Sequence, residues 1–163
     1  MATWSEVIES APEFAADAAA LFGAHKHKTI ATLRKDGGPR ISGIEMELVE
    51  GEAVVGMMPQ SLKARDVRRD PRVAIHSGSE DPDNANPTAW PGDAKISGRA
   101  VEVADPAKAA ALLKAMGAAE EVAGSPVFVL DITEVVVTRV AASAEYLDVL
   151  LWKEGQVRQM RAQ

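Results

Sequence analysis

The sequence predicts a mainly antiparallel β-barrel carrying a few helices, and three observations predict it. Short β-branched or alternating segments recur from Lys28 onward, turn pairs such as Asp36-Gly37 and Glu50-Gly51 separate them, and mostly hairpin-length connections exclude a Rossmann sheet. At 163 residues, 47% of them hydrophobic, the chain suits one domain with a sizeable core, residues 1–163.

The elements follow in order. "TWSE" has capping-box spacing, with Thr3 as N-cap and Glu6 three positions on, and predicts one helix from residue 3 to about 22. "KTIATL" and "RISGIEMELV", joined around Asp36-Gly37-Gly38, read as a hairpin. In its second strand Ser42, Ile44, Met46 and Leu48 share one face, and Ile41, Gly43, Glu45 and Glu47 the other, with the two glutamates toward water. "EAVVGMM" is a third strand, ended by Pro59. A short helix then runs from about Ser61 to Asp70, stopped by Asp70-Pro71.

"RVAIHS" is a fourth strand. The polar, proline-broken stretch from Ser79 to Asp93 is a long loop, expected to be mobile. "AKISGRAVEV" returns to strand, and "DPAKAAALLKAMG" is a helix with Asp105 as cap and Pro106 at its first position. "PVFVLDITEVVVTRV" is a long strand or a bent pair, and "YLDVLLW" with "QVRQMRAQ" forms a terminal hairpin around Glu154-Gly155.

Composition excludes several classes of function. There is no cysteine, so disulfides, thiolate metal sites and cysteine nucleophiles are out, and the cytoplasm is the expected compartment. A net charge of −6 argues against nucleic acid as the main partner. Neither a basic, apolar leader nor a membrane span is expected from the apolar runs. G-x-S-x-G, Walker and G-x-G-x-x-G motifs do not occur. His25, His27 and His76 lack the acidic partners and spacing of a metal site.

Against this acidic background, "MPQSLKARDVRRDP" gathers Lys63, Arg65, Arg68, Arg69 and Arg72 around a helix start. If Ser61 is the cap, Lys63 lies in the first turn, where the helix dipole disfavours a cation and a bound anion reverses that sign. Ser61, the first-turn N–H groups and Lys63 suit a phosphate monoester, with Met57 and Met58 as an apolar wall. The plainer alternatives are a solvated face in which Asp66 reaches Arg69, and two core methionines. Gly43, Gly56 and Gly98 interrupt strands, marking either the approach of a flat ligand or barrel curvature. Trp152 is a core residue or a stacking surface.

The runs "IATLRKDGGPRISGIEM", "VVGMMPQSLKARDVRRDPRVAIHS" and "GDAKISGRAVEV", in that order, resemble the flavin- and deazaflavin-binding split-barrel family, often called pyridoxamine 5′-phosphate oxidase-like. The resemblance covers roughly residues 26–104 and, loosely, the last hairpin. It implies a split barrel in which Ser61 and Lys63 hold the cofactor phosphate and Asp70-Pro71 closes the helix. It also implies a ring-binding strand from Arg40 to Ile44, with Arg40, Ser42 and Gly43 in contact with ring or phosphate beside Met57 and Met58. Such proteins are homodimers with sites between subunits, so Lys95 and Trp152 are expected at a site formed mainly by the partner.

The C-terminal "LLWKEGQVRQMRAQ" lacks the Arg and His arrangement of true pyridoxamine phosphate oxidases, and Gly56 and Met57 replace their polar or aromatic residues, so vitamin B6 oxidation is not expected. The expectation is a dimeric oxidoreductase that uses FMN, or a deazaflavin of the factor-420 type, to pass hydride to or from a small conjugated substrate. No side chain is singled out as general acid or base. The alternative is a non-catalytic carrier or sensor of flavin, haem or a small anion.

Overall fold

A computed structural model describes residues 2–118 and 124–162. The described strands are β1 (His27–Leu33), β2 (Pro39–Val49), β3 (Glu52–Gly56), β4 (Arg72–His76), β5 (Asp93–Glu102), β6 (Val127–Val140), β7 (Leu147–Lys153) and β8 (Gln156–Ala162). They form one antiparallel sheet in the order β3-β2-β1-β4-β5-β6-β7-β8. The additional β3–β6 pairing closes the first six strands into a barrel.

The split lies in β6. Its start, Val127–Val129, pairs with Gly56–Val54 of β3, while Val135–Val140 pairs with β7, which carries β8 outward. One strand of 14 residues therefore serves two sheet directions. A register shift opposite Ser97/Gly98 accommodates the bend. Gly98 is there for space, because a Cβ on it would lie 2.3 Å from the Asp131 carbonyl oxygen.

Four α-helices accompany the strands: α1 (Trp4–Ser10), α2 (Pro12–Gly23), α3 (Leu62–Arg69) and α4 (Pro106–Ala115). The capping box is formed, with the Thr3 Oγ1 accepting from the Glu6 N–H and Glu6 accepting from the Thr3 N–H at 2.7 Å. These contacts hold the Glu6 carboxyl below its usual range. The single N-terminal helix expected from the sequence is instead two. Ala11 adopts φ −153°, ψ 69°, because Pro12 has no N–H to continue the ladder and disfavours helical geometry in the residue before it. Trp4, Val7, Phe14, Ala18 and Phe22 then bury one face of the pair against the barrel.

The barrel interior holds Ile30, Ile44, Met46, Val55, Ile75, Ile96, Phe128, Leu130 and Val135, each at most 4% exposed. They alternate with outward residues at the period of two that each strand requires. No helix among the described residues is long and apolar enough to cross a membrane. The loop from Ser79 to Asp93 folds back on itself: the Trp90 indole N–H donates to Ser79 Oγ and the Glu80 carbonyl, both at 3.0 Å.

Candidate functional site

Ser61 caps α3 through its hydroxyl, which accepts from the Ala64 N–H at 3.3 Å. That places Lys63 in the first turn, as its spacing predicts. The Lys63 Nζ donates to the Gly43 carbonyl of β2 at 2.9 Å. Around this bridge lies a cavity of about 350 Å³, lined by the apolar Ile44, Met57, Met58, Leu113 and Met116 together with Gly43, Lys63, His27 and Glu45.

Gly43 is decisive for how the cavity is read. An added Cβ would meet no atom within 4 Å, and the backbone there carries no positive φ. Neither packing nor conformation within the chain calls for glycine in the middle of a strand, where it weakens the ladder. Its missing side chain leaves open space beside a lysine, over a wall of soft, polarizable methionine.

The other cations of the cluster are engaged elsewhere. Arg68 makes a bidentate pair with Glu102, at 2.8 and 2.5 Å, and Arg72 pairs with Asp70 at 2.6 Å. Arg69 donates to Asp66 at 2.9 Å and to the Leu33 carbonyl. Of the five cations gathered around the helix start, carboxylates on α3, its C-cap and β5 thus neutralise three, and Asp66 reaches Arg69 as the solvated-face alternative has it. Lys63 and Arg65 have no carboxylate partner among the described residues. Arg72 lowers the Asp70 carboxyl to about 2 through its hydrogen bonds, and Arg68 holds Glu102 below the usual range.

Arg40 and Ser42 share the face of β2 that carries Ile44 and Met46 inward, and neither lines the cavity. The Arg40 Nε donates to Asp66 Oδ2 at 2.6 Å, and the buried Thr32 hydroxyl donates to the same oxygen at 2.9 Å. Burial pushes the Asp66 carboxyl up, but hydrogen bonds from Arg40, Arg69 and Thr32 outweigh it and hold the group below its ordinary value. In this chain Arg40 ties the base of α3 to the barrel.

Met57 is 3% exposed and Met58 is 70% exposed, so the first is wall and the second is rim. Trp152 settles on the core side of its two readings. It is 2% exposed, and its indole N–H donates to Ser10 Oγ at 2.9 Å. Lys95 stands on the outer barrel face, 3.6 Å from Asp93. Register links it through His76 and Thr29 to Gly43, three strands away and thus about 14 Å across the sheet. It does not reach the cavity of its own chain.

Six lining residues escape the sequence reading: His27, Glu45, Leu113, Met116, Ala118 and Ser125. The first two were within reach, because counting back from the Asp36-Gly37-Gly38 turn pairs His27 with Glu45. Nothing local shows that α4 turns Leu113 and Met116 onto this wall. Among the described residues no group of three His, Cys, Asp or Glu side chains is placed to hold a metal.

The sequence profile of the family described as pyridoxamine 5′-phosphate oxidase matches residues 14–141, from α2 through the end of β6. The chain belongs to that family. No curated protein matches its sequence. Solved structures share its fold. A protein of unknown function from Agrobacterium tumefaciens, Atu2129, is 16% identical with a TM-score of 0.61, over 78% of this chain and 56% of the other. A heme binding protein from Mycobacterium smegmatis is 17% identical with a TM-score of 0.58, over 99% and 88%. PhzG from Burkholderia lata, solved with tetrahydrophenazine-1-carboxylic acid, is 15% identical with a TM-score of 0.57, over 85% and 82%. At these identities the likeness is one of fold.

Proposed function

We propose that this member of the pyridoxamine 5′-phosphate oxidase family binds FMN, or a deazaflavin of the factor-420 type, in the Lys63–Gly43 cavity and acts as an oxidoreductase on a small conjugated substrate. The observation that carries the reading is the pairing of a first-turn lysine with a strand glycine that nothing inside the chain requires. Lys63 and the α3 N–H groups would hold the phosphate, and Gly43 would let the ring approach the β2 backbone above Met57. When bound, the ring supplies hydride transfer, while the chain binds, orients and shields it.

The reading includes a cytoplasmic homodimer. Ile41 is 75% exposed, Met58 70% and Leu62 55%, three large apolar side chains on β2, at the cavity rim and at the start of α3. A second subunit covering them would bring its own Lys95 toward the site.

A carrier or sensor is the second reading, favoured by the absence of a buried acid or base among the side chains named on the cavity wall. Absorbance of the purified protein, mass spectrometry of released cofactor and turnover with NADPH separate the two. Flavin or deazaflavin that is reduced and reoxidised over many cycles supports the enzyme. Bound cofactor without turnover supports the carrier, and a haem Soret band without flavin overturns the flavin reading.

A further inference from the structure

His27 and Glu45 line the cavity but have no part in the reading above. They are directly opposed on the β1–β2 ladder, so their side chains stand on one face with Cβ atoms about 5 Å apart. Glu45 Oε1 lies 3.9 Å from His27 Nδ1 and 3.4 Å from Lys26 Nζ. Among the described residues, His27 Nε2 and Glu45 Oε2 make no hydrogen bond, so each has capacity for a ligand. Gly43 lies two residues from Glu45 on the same face of β2, about 7 Å along the strand.

The cavity lining thus combines a cation, apolar walls and a donor beside an acceptor. A lone charge would select an ion. An imidazole N–H next to a carboxylate selects a ligand edge that presents a carbonyl and an N–H side by side, which is the edge of a planar lactam or imide. The plainer account, that Lys26 and His27 merely balance Glu45 in solvent, does not explain why the pair opens onto the cavity.

We infer that His27 and Glu45 read the lactam edge of a planar ligand, His27 donating to its carbonyl and Glu45 accepting from its N–H. The inference rests on the flavin reading for the identity of that ligand, since the pyrimidine ring of a flavin has such an edge, and it assigns the specificity of the site to two residues that the phosphate-holding role leaves unused.

FMN and N3-methyl-FMN, which lacks the N–H, are titrated into the parent, Glu45→Ala and His27→Ala by fluorescence. Lumichrome and N3-methyl-lumichrome, which carry the edge without the phosphate, form a second arm. The parent is expected to prefer FMN over its N3-methyl form by about 10–100-fold, the range for a hydrogen bond to a charged group. Glu45→Ala is expected to lose that preference, while His27→Ala weakens both ligands and keeps it. Both side chains are exposed, and a melting curve for each variant checks the fold.

Equal binding of FMN and N3-methyl-FMN by the parent overturns the inference and leaves the flavin reading standing, as does a preference that survives Glu45→Ala. Lumichrome selected over its N3-methyl form without FMN binding overturns the phosphate-anchored reading and supports the inference. Failure of all four ligands to bind the parent overturns both.

Discussion

The Lys63 ammonium donates to the Gly43 carbonyl at 2.9 Å, joining the first turn of α3 to the middle of β2. The bond presets the cation beside the only part of β2 where the backbone is uncovered by a side chain. A phosphate arriving there exchanges a neutral acceptor for a charged one. Lys63→Ala is expected to weaken FMN by about one to two decades, the equivalent of roughly 1.5–3 kcal/mol. The ligand-free fold should change by less than about 0.5 kcal/mol, because the lost surface hydrogen bond offsets relief of a cation at the positive helix end. Lys35→Ala, in the β1–β2 turn, is the control. Isothermal titration and urea unfolding of both variants check the pair of outcomes.

Gly43→Val separates ligand from fold more sharply. The new side chain meets no protein atom within 4 Å at its Cβ and suits a strand, so stability should hold or rise by a few tenths to about 1 kcal/mol. FMN binding should be lost. Gly98→Ala is the opposite case: its Cβ would lie 2.3 Å from the Asp131 carbonyl, and a loss of about 1–3 kcal/mol is expected. Denaturant midpoints and FMN titrations on the same samples decide both.

Asp66 is buried and receives Thr32, Arg40 and Arg69. Asp66→Ala leaves the part-buried Arg40 without its carboxylate and should cost about 3–5 kcal/mol. The folded carboxyl is held below its ordinary value. Its contribution is therefore complete above the unfolded value and is lost as pH falls through the lower, folded one. Parent stability should decline below about pH 4, and the Asp66→Ala variant should show a shallower acid limb. Thermal melts from pH 7 to pH 2.5 test the difference in slope.

Ile41→Asp probes the proposed dimer. With the side chain 75% exposed, the substitution should leave the isolated fold unchanged within about 0.5 kcal/mol. It should convert a species of twice the chain mass into a monomer by light scattering at micromolar protein. A parent that is already monomeric removes the second subunit from the reading.

The order and type of the elements were legible in the sequence because they rest on local physics. Strand alternation, the Thr3–Glu6 box, Ser61 and Asp105 as caps, and Asp70-Pro71 as a stop act over a few residues, and each appears where its spacing places it. Pro12 was equally local, and its effect on Ala11 divides what alanine-rich periodicity alone reads as one helix. The family, too, was legible, in three ordered runs that fall wholly within the matched span of residues 14–141.

Tertiary structure decided which charges were already spent. Charge spacing shows five cations near one helix, but only the closed barrel brings Glu102 to Arg68 and Asp66 to Arg40, across 34 and 26 residues. It likewise sent Trp152 into the core, turned Leu113 and Met116 onto the cavity wall, and showed that Gly98 avoids a carbonyl while Gly43 avoids nothing in the chain. The physical reason is common to all of these. Local propensity sets the direction a backbone takes, whereas the partner a side chain meets depends on strand register and barrel closure, which bring together residues the sequence keeps far apart.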